Sequence, residues 1–205
     1  RLPAPWYESF VTEVVPSLSA ADGMGTLRLL CAVLDSCLSQ LKQIEQRNGE
    51  LREDLSWMWR PAIEDHEQNE PEDPRGVLIS QVRDLGLILA ASSEDAGREV
   101  LGVLGAKPWR LFVRLSLHIL RVHRAPLDLV RARLVDRSLF DDSGVLHEYY
   151  HLLHDCFPLL SPDDQAVIAL PDVRRYRDLY RRTRSSLDTC GISLWWVTRD
   201  GTVTE

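Results

Sequence analysis

Apolar residues recur at steps of three and four along most of the chain. Over 26–47, Leu27, Leu30, Cys31, Leu34, Cys37, Leu38, Leu41 and Ile44 form one stripe, the period of an amphipathic helix. Asn48-Gly49 ends it. A shorter helix is expected from Leu51 to Trp59, broken before Pro61, and a longer one over 76–91. Ser92-x-x-Asp95 resembles a capping box for another that ends near Gly105. Pro108 suits the first turn of a helix over 108–124. There Trp109, Phe112, Val113, Leu115, Leu117, Ile119, Leu120 and Val122 cover most of the circumference. Such a helix belongs at the centre, covered on at least two sides. The arginines of 110–133 read as its outer edge. A helix over 126–136 follows. Asp141-Asp142-Ser143, Ser161-Pro162-Asp163-Asp164 and Pro171-Asp172 then open helices over 145–157, through Leu170 and through Arg184, since such residues suit free N–H groups and the helix dipole.

Short helices joined by capped turns predict an all-α fold, an irregular HEAT-like array or bundle over 1–186. No strict internal repeat is present. The stretch 64–73, EDHEQNEPED, holds six carboxylates. With Pro71 and Pro74 it reads as a loop, and 64–75 is the candidate for an internal boundary or a mobile segment. Residues 187–205 differ: ISLWWVT, then Arg199-Asp200-Gly201, then Thr202-Val203-Thr204, a signal for a small β-hairpin. A disordered end is the alternative.

Composition narrows the class. The chain has 205 residues, 44% hydrophobic and 27% charged, ordinary globular values that exclude global disorder. No apolar run approaches the ~20 residues that cross a bilayer, so no membrane association is expected. The net charge of −7 hides a split: residues 1–100 carry 9 basic and 18 acidic side chains, residues 101–205 carry 15 and 13. A net-acidic chain is a poor general nucleic-acid binder, although its second half is not acidic. Cysteines at 31, 37, 156 and 190 form no CxxC and fit neither a zinc ribbon nor a disulfide framework. Free thiols in apolar helical patterns point to a reducing, cytoplasmic setting. The chain opens at Arg1 without methionine or an apolar leader, and reads as a piece of a longer protein.

Gly23-Met24-Gly25 and Gly102-Val103-Leu104-Gly105-Ala106-Lys107 lack the ending of a phosphate-binding loop, and no GxSxG is present, which argues against ATPases and hydrolases of those kinds. The motif that bears on chemistry is His147-Glu148-Tyr149-Tyr150-His151, an HExxH within a helical pattern. Histidines four apart can grip zinc, and the glutamate can serve as base for a bound water. That makes His147 and His151 the alternative metal ligands and Glu148 the alternative catalytic residue. No glutamate follows before Glu205, so a third ligand downstream would be Asp163, Asp164, Asp172 or His154. The structural alternative puts His147, His151 and Asp155 on an exposed polar face, with Leu146, Tyr149, Tyr150, Leu153 and Phe157 inward. The last helix carries six arginines, among them Arg174, Arg175, Arg177 and Arg181, beside Tyr176 and Tyr180. Such a face can bind phosphate and stack bases, or stay solvated and ion-paired. With Glu70, Glu72 and Asp73 these arginines are the partner-binding candidates. Trp57 and Trp59 beside Arg60-Pro61 are either an exposed recognition patch or buried packing.

Residues 57–69 (WMWRPAIEDHEQN) and 138–168 (SLFDDSGVLHEYYHLLHDCFPLLSPDDQAVI) resemble the C-terminal helical region of large bacterial STAND-type NTPases, several of which act in antiviral defence. The resemblance covers about half the chain and implies a helical array that senses a target and controls assembly. ATP-binding residues of that family have no counterpart here. The expectation is therefore a non-catalytic recognition or scaffolding segment that binds a protein partner or itself and needs no cofactor. A zinc-dependent metallohydrolase and nucleic-acid binding through 174–184 are the alternatives.

Overall fold

A computed structural model of the chain describes residues 4–40, 54–67, 69, 74–123, 125–140 and 142–169, with 196–197 and 203–204 from the tail. The first helix, α1 (Ala4–Ala21), was not signalled by the pattern, because Pro16 lies inside it and proline removes a backbone donor there. Helix α2 (Gly23–Ser39) starts three residues ahead of the apolar stripe because Asp22 caps it, its Oδ1 accepting from the Gly25 N–H at 2.8 Å. The rest of the 26–47 stripe, beyond Gln40, lies outside the described residues.

A single turn, α3 (Ser56–Trp59), leads through residues 60–67 to α4 (Pro74–Ala90) and α5 (Glu94–Gly105). The cap of α5 is Ser93 rather than Ser92: Ser93 Oγ accepts from the Ala96 N–H at 3.1 Å. Ser92 Oγ instead donates to the Leu89 carbonyl at 2.6 Å, closing α4. Helix α6 (Arg110–Val122) is the central one, as its composition requires, with buried residues from Leu111 to Leu120 all round. Its first turn is capped from far away. The buried Asp54 carboxylate accepts from the Leu111 N–H at 2.7 Å and from the Ser56 N–H at 2.8 Å, placing a negative charge at the positive end of α6.

Helices α7 (Leu127–Leu134), α8 (Arg137–Phe140), α9 (Leu146–Cys156) and α10 (Pro162–Ala169) follow, with a 3₁₀ turn at Phe157–Leu159; the helix expected through Arg184 lies outside the described residues. Asp142 does not cap α9 with its side chain. It shapes the turn ahead of it, its Oδ1 accepting from the Gly144 N–H at 2.9 Å, and it pairs with Arg110 at 2.8 Å. Ser161 does cap α10, accepting from the Asp164 N–H at 3.2 Å.

Two apolar clusters meet on α6. The larger takes Val11 and Val15 from α1, Leu27 to Leu38 from α2, Ile63, residues of α4 and α5, and Leu111, Phe112, Leu115 and Ile119 of α6. The smaller takes Leu117 and Leu120 of α6 with Val130, Leu134, Leu139, Val145, Tyr149, Leu152, Phe157 and Leu160. At Gly86 the backbone of α4 comes so close to α6 that an added Cβ would lie 2.7 Å from Ile119 Cδ1. The larger cluster draws on residues from both sides of 64–75, so this acidic stretch is no boundary between separate cores.

The fold is all-α. The described tail residues pair as two short antiparallel strands, β1 (Trp196–Val197) and β2 (Val203–Thr204), with Trp196 opposite Thr204 and Val197 opposite Val203. No helix among the described residues is long and apolar enough to cross a membrane.

Candidate functional site

Helix α6 carries one polar line through its apolar surface. Arg114, His118 and Arg121 stand at i, i+4 and i+7, so they share a face. That face meets His147, Glu148 and His151 of α9 and the strap formed by residues 60–67; Ile63, Glu64, His118, Arg121, His147, Glu148 and His151 line a notch there.

The centre of this seam is the Arg114–Glu148 pair. Arg114 Nε donates to Glu148 Oε2 at 2.8 Å and Nη2 to Oε1 at 2.8 Å, a two-bond fork. The same guanidinium reaches the Pro61 carbonyl at 2.9 Å and Ser56 Oγ at 3.2 Å. Glu148 Oε1 accepts further from the Ile63 N–H at 3.0 Å. Burial alone would raise the Glu148 carboxyl, but the Arg114 charge and its hydrogen bonds outweigh it and hold the group below its ordinary range. Arg114 is therefore no outer-edge residue.

Two more arginines pin the strap. Arg60 donates to the Gly76 carbonyl at 3.2 Å, the Ile63 carbonyl at 3.2 Å and Ser80 Oγ at 3.0 Å. Burial lowers it to about 10. Arg83 of α4 donates to the Ile63 carbonyl at 3.0 Å and pairs with Asp65 and Asp84, each at 2.7 Å. Asn69 Nδ2 closes the strap by donating to the Glu64 carbonyl at 2.9 Å. Residues 60–67 thus form a strap several of whose backbone groups are satisfied by side chains, as a non-helical segment over a core requires.

The two histidines are not on an exposed face. His147 and His151 are half-buried, edge to face with ring centroids 4.5 Å apart. His147 Nε2 lies 3.7 Å from Glu64 Oε1, and neither of its buried ring nitrogens makes a hydrogen bond. Burial lowers both imidazoles below their ordinary value. Among the described residues, Glu64, His147 and His151 are the group that could hold a metal, their ligand atoms lying within 4.8 Å of one another. The third member thus comes from upstream, not from Asp163, Asp164 or His154. Asp164 pairs with Arg131 at 2.7 Å, and His154 pairs with Asp155 at 2.9 Å. Asp172 lies outside the described residues.

Both oxygens of Glu148 accept hydrogen bonds, from Arg114 and the Ile63 N–H, which ties this carboxylate into the seam. Arg121, from the same line of α6, donates to Glu64 Oε2 at 3.2 Å and to Asp155 Oδ2 at 2.8 Å. Glu64 was missed as a site residue because it reads as one of six acids in a loop. A signal did exist in the polar i, i+4, i+7 line of an otherwise apolar helix.

The remaining candidates divide. Trp57 is exposed, whereas Trp59 packs against the larger cluster with the Arg75 guanidinium 4.1 Å from its ring. Glu70, Glu72, Asp73, Arg174, Arg175, Arg177 and Arg181 lie outside the described residues. Elsewhere Arg28 is ion-paired with Glu99, Arg98 with Glu94 and Asp128, and Arg110 with Asp142. Searches for similarity match this chain to no known family model, no curated protein and no solved structure.

Proposed function

We propose that this chain is a non-catalytic helical recognition or scaffolding segment, the sensor or assembly region of a STAND-like ATPase of defence or signalling, working in the cytoplasm through a protein partner or through self-association. The observation that carries the reading is the burial of Glu148 against Arg114. It supports a role for the HExxH glutamate in holding α6, α9 and the strap together. The sequence resemblance at 57–69 and 138–168 supports it further, because those stretches contain the strap and α9, which meet in this seam. Cys31, Cys37 and Cys156 form no disulfide, which suits a reducing compartment.

Its test uses the complete native polypeptide with and without residues 4–169. Removal should leave nucleotide binding intact and abolish assembly, read by light scattering with ATP present. A full polypeptide that binds no nucleotide overturns the reading. So does peptide hydrolysis by the zinc-loaded protein that disappears in His147→Ala, which would establish the hydrolase instead.

A further inference from the structure

We propose that Glu64, His147 and His151 form a binding site for a zinc-class divalent cation, which acts as a clasp between the strap and α9. The three ligand atoms lie within 4.8 Å of one another, and the Glu64–His147 pair is already at 3.7 Å. Ligands about 2.0–2.1 Å from a tetrahedral ion stand roughly 3.3 Å apart, so small side-chain rotations close the set.

The half-buried His147 imidazole, whose two nitrogens are shut off from solvent, supplies the second, independent observation. Neither ring nitrogen has a hydrogen-bond partner, and a polar atom shut away from water in this state is destabilising until something engages it. A cation bound on the Glu64 side would use one of those nitrogens. The donor set also selects the ion. Two imidazoles and one carboxylate suit zinc, cobalt or iron better than calcium or magnesium, which want oxygen.

Arg121 fixes the second oxygen of Glu64, the way an outer-shell donor orients a metal carboxylate. Arg114 and Arg121 place positive charge near the site, and this caps the affinity below that of an all-anionic set. Glu148, the carboxylate next to His147 in sequence, is held by Arg114, so the work proposed for the bound ion is structural. It ties a segment far upstream to α9, and does so whatever partner the array binds.

The test is titration of the metal-stripped full chain with zinc and, for its ligand-field spectrum, cobalt. One ion per chain is expected, with a tetrahedral cobalt spectrum and a rise in melting temperature. His147→Ala, His151→Ala and Glu64→Gln should each weaken binding by more than about a hundredfold, the loss expected when a ligand rather than an outer-shell partner is removed. In EDTA these variants should show the wild-type circular dichroism, which separates lost binding from lost folding. His154→Ala should bind zinc as the wild type does. No uptake by the wild type, uptake that survives loss of either His147 or His151, or dependence on His154 overturns the clasp.

Discussion

Arg114 and Glu148 meet with side chains 1% and 3% exposed, where a charge without its partner is most costly. Replacing one member of such a pair costs about 3–5 kcal/mol, whereas replacing both with apolar residues of similar volume is often neutral. Glu148→Ala should therefore lower stability by about 3–5 kcal/mol in urea unfolding, and the Arg114→Met/Glu148→Leu double variant should regain most of it. A double variant as unstable as the single one would show that the pair's links to Ser56, Pro61 and Ile63 matter more than the charges. His118 adds a pH dependence. Burial, with Arg83 adding to it, lowers its imidazole to about 4 against Glu64 and Glu148, which pull the other way; Arg121 also lowers it. An unfolded histidine titrates near 6.5, so between about 6.5 and 4 the unfolded chain takes a proton that the folded chain refuses. The contribution is whole above pH ~6.5 and is lost as pH falls towards 4, on the order of 3 kcal/mol. Stability measured in EDTA across this window should fall with pH, and His118→Gln should flatten the slope.

Helix boundaries turn on single hydroxyls and carboxylates. Adjacent serines precede α5, and only Ser93 accepts from the Ala96 N–H. Loss of a serine cap costs about 1 kcal/mol. Ser93→Ala should show that loss in thermal unfolding, and Ser92→Ala, whose hydroxyl merely donates to the Leu89 carbonyl, should show less than half of it. Equal effects would mean that the two hydroxyls exchange roles. The Ser92-x-x-Asp95 pattern marked a helix start here but put the cap one residue early, because the two serines are adjacent and the choice between them depends on how α4 ends. At α6 no local residue could have revealed the cap. Asp54 arrives from 57 positions upstream.

Across the whole molecule, α6 couples the two apolar clusters. Leu115 belongs to the larger cluster and Leu117 to the smaller, both without exposed surface. Leucine-to-alanine changes at such sites cost about 2–5 kcal/mol. Leu115→Ala and Leu117→Ala should each shift one common unfolding transition, with far-UV circular dichroism and tryptophan fluorescence coinciding. A split transition in Leu117→Ala would mean that α7 to α10 unfold on their own and that α6 couples nothing.

The all-α class, most helix positions and the central place of α6 were legible in the order of residues alone. These follow from periodicity and local capping, which act over a few residues and are written in neighbouring positions. The sequence also placed His147 and His151 one turn apart, because helical geometry does that for any pair at i and i+4. What surrounds the HExxH is a matter of packing. Whether Glu148 faces water or Arg114 depends on how α9 packs on α6. The strap over them brings in Glu64, which stands 83 positions before His147 in number yet 3.7 Å from it in space. Charge and burial at those distances are properties of packing between elements, and no local pattern carries them.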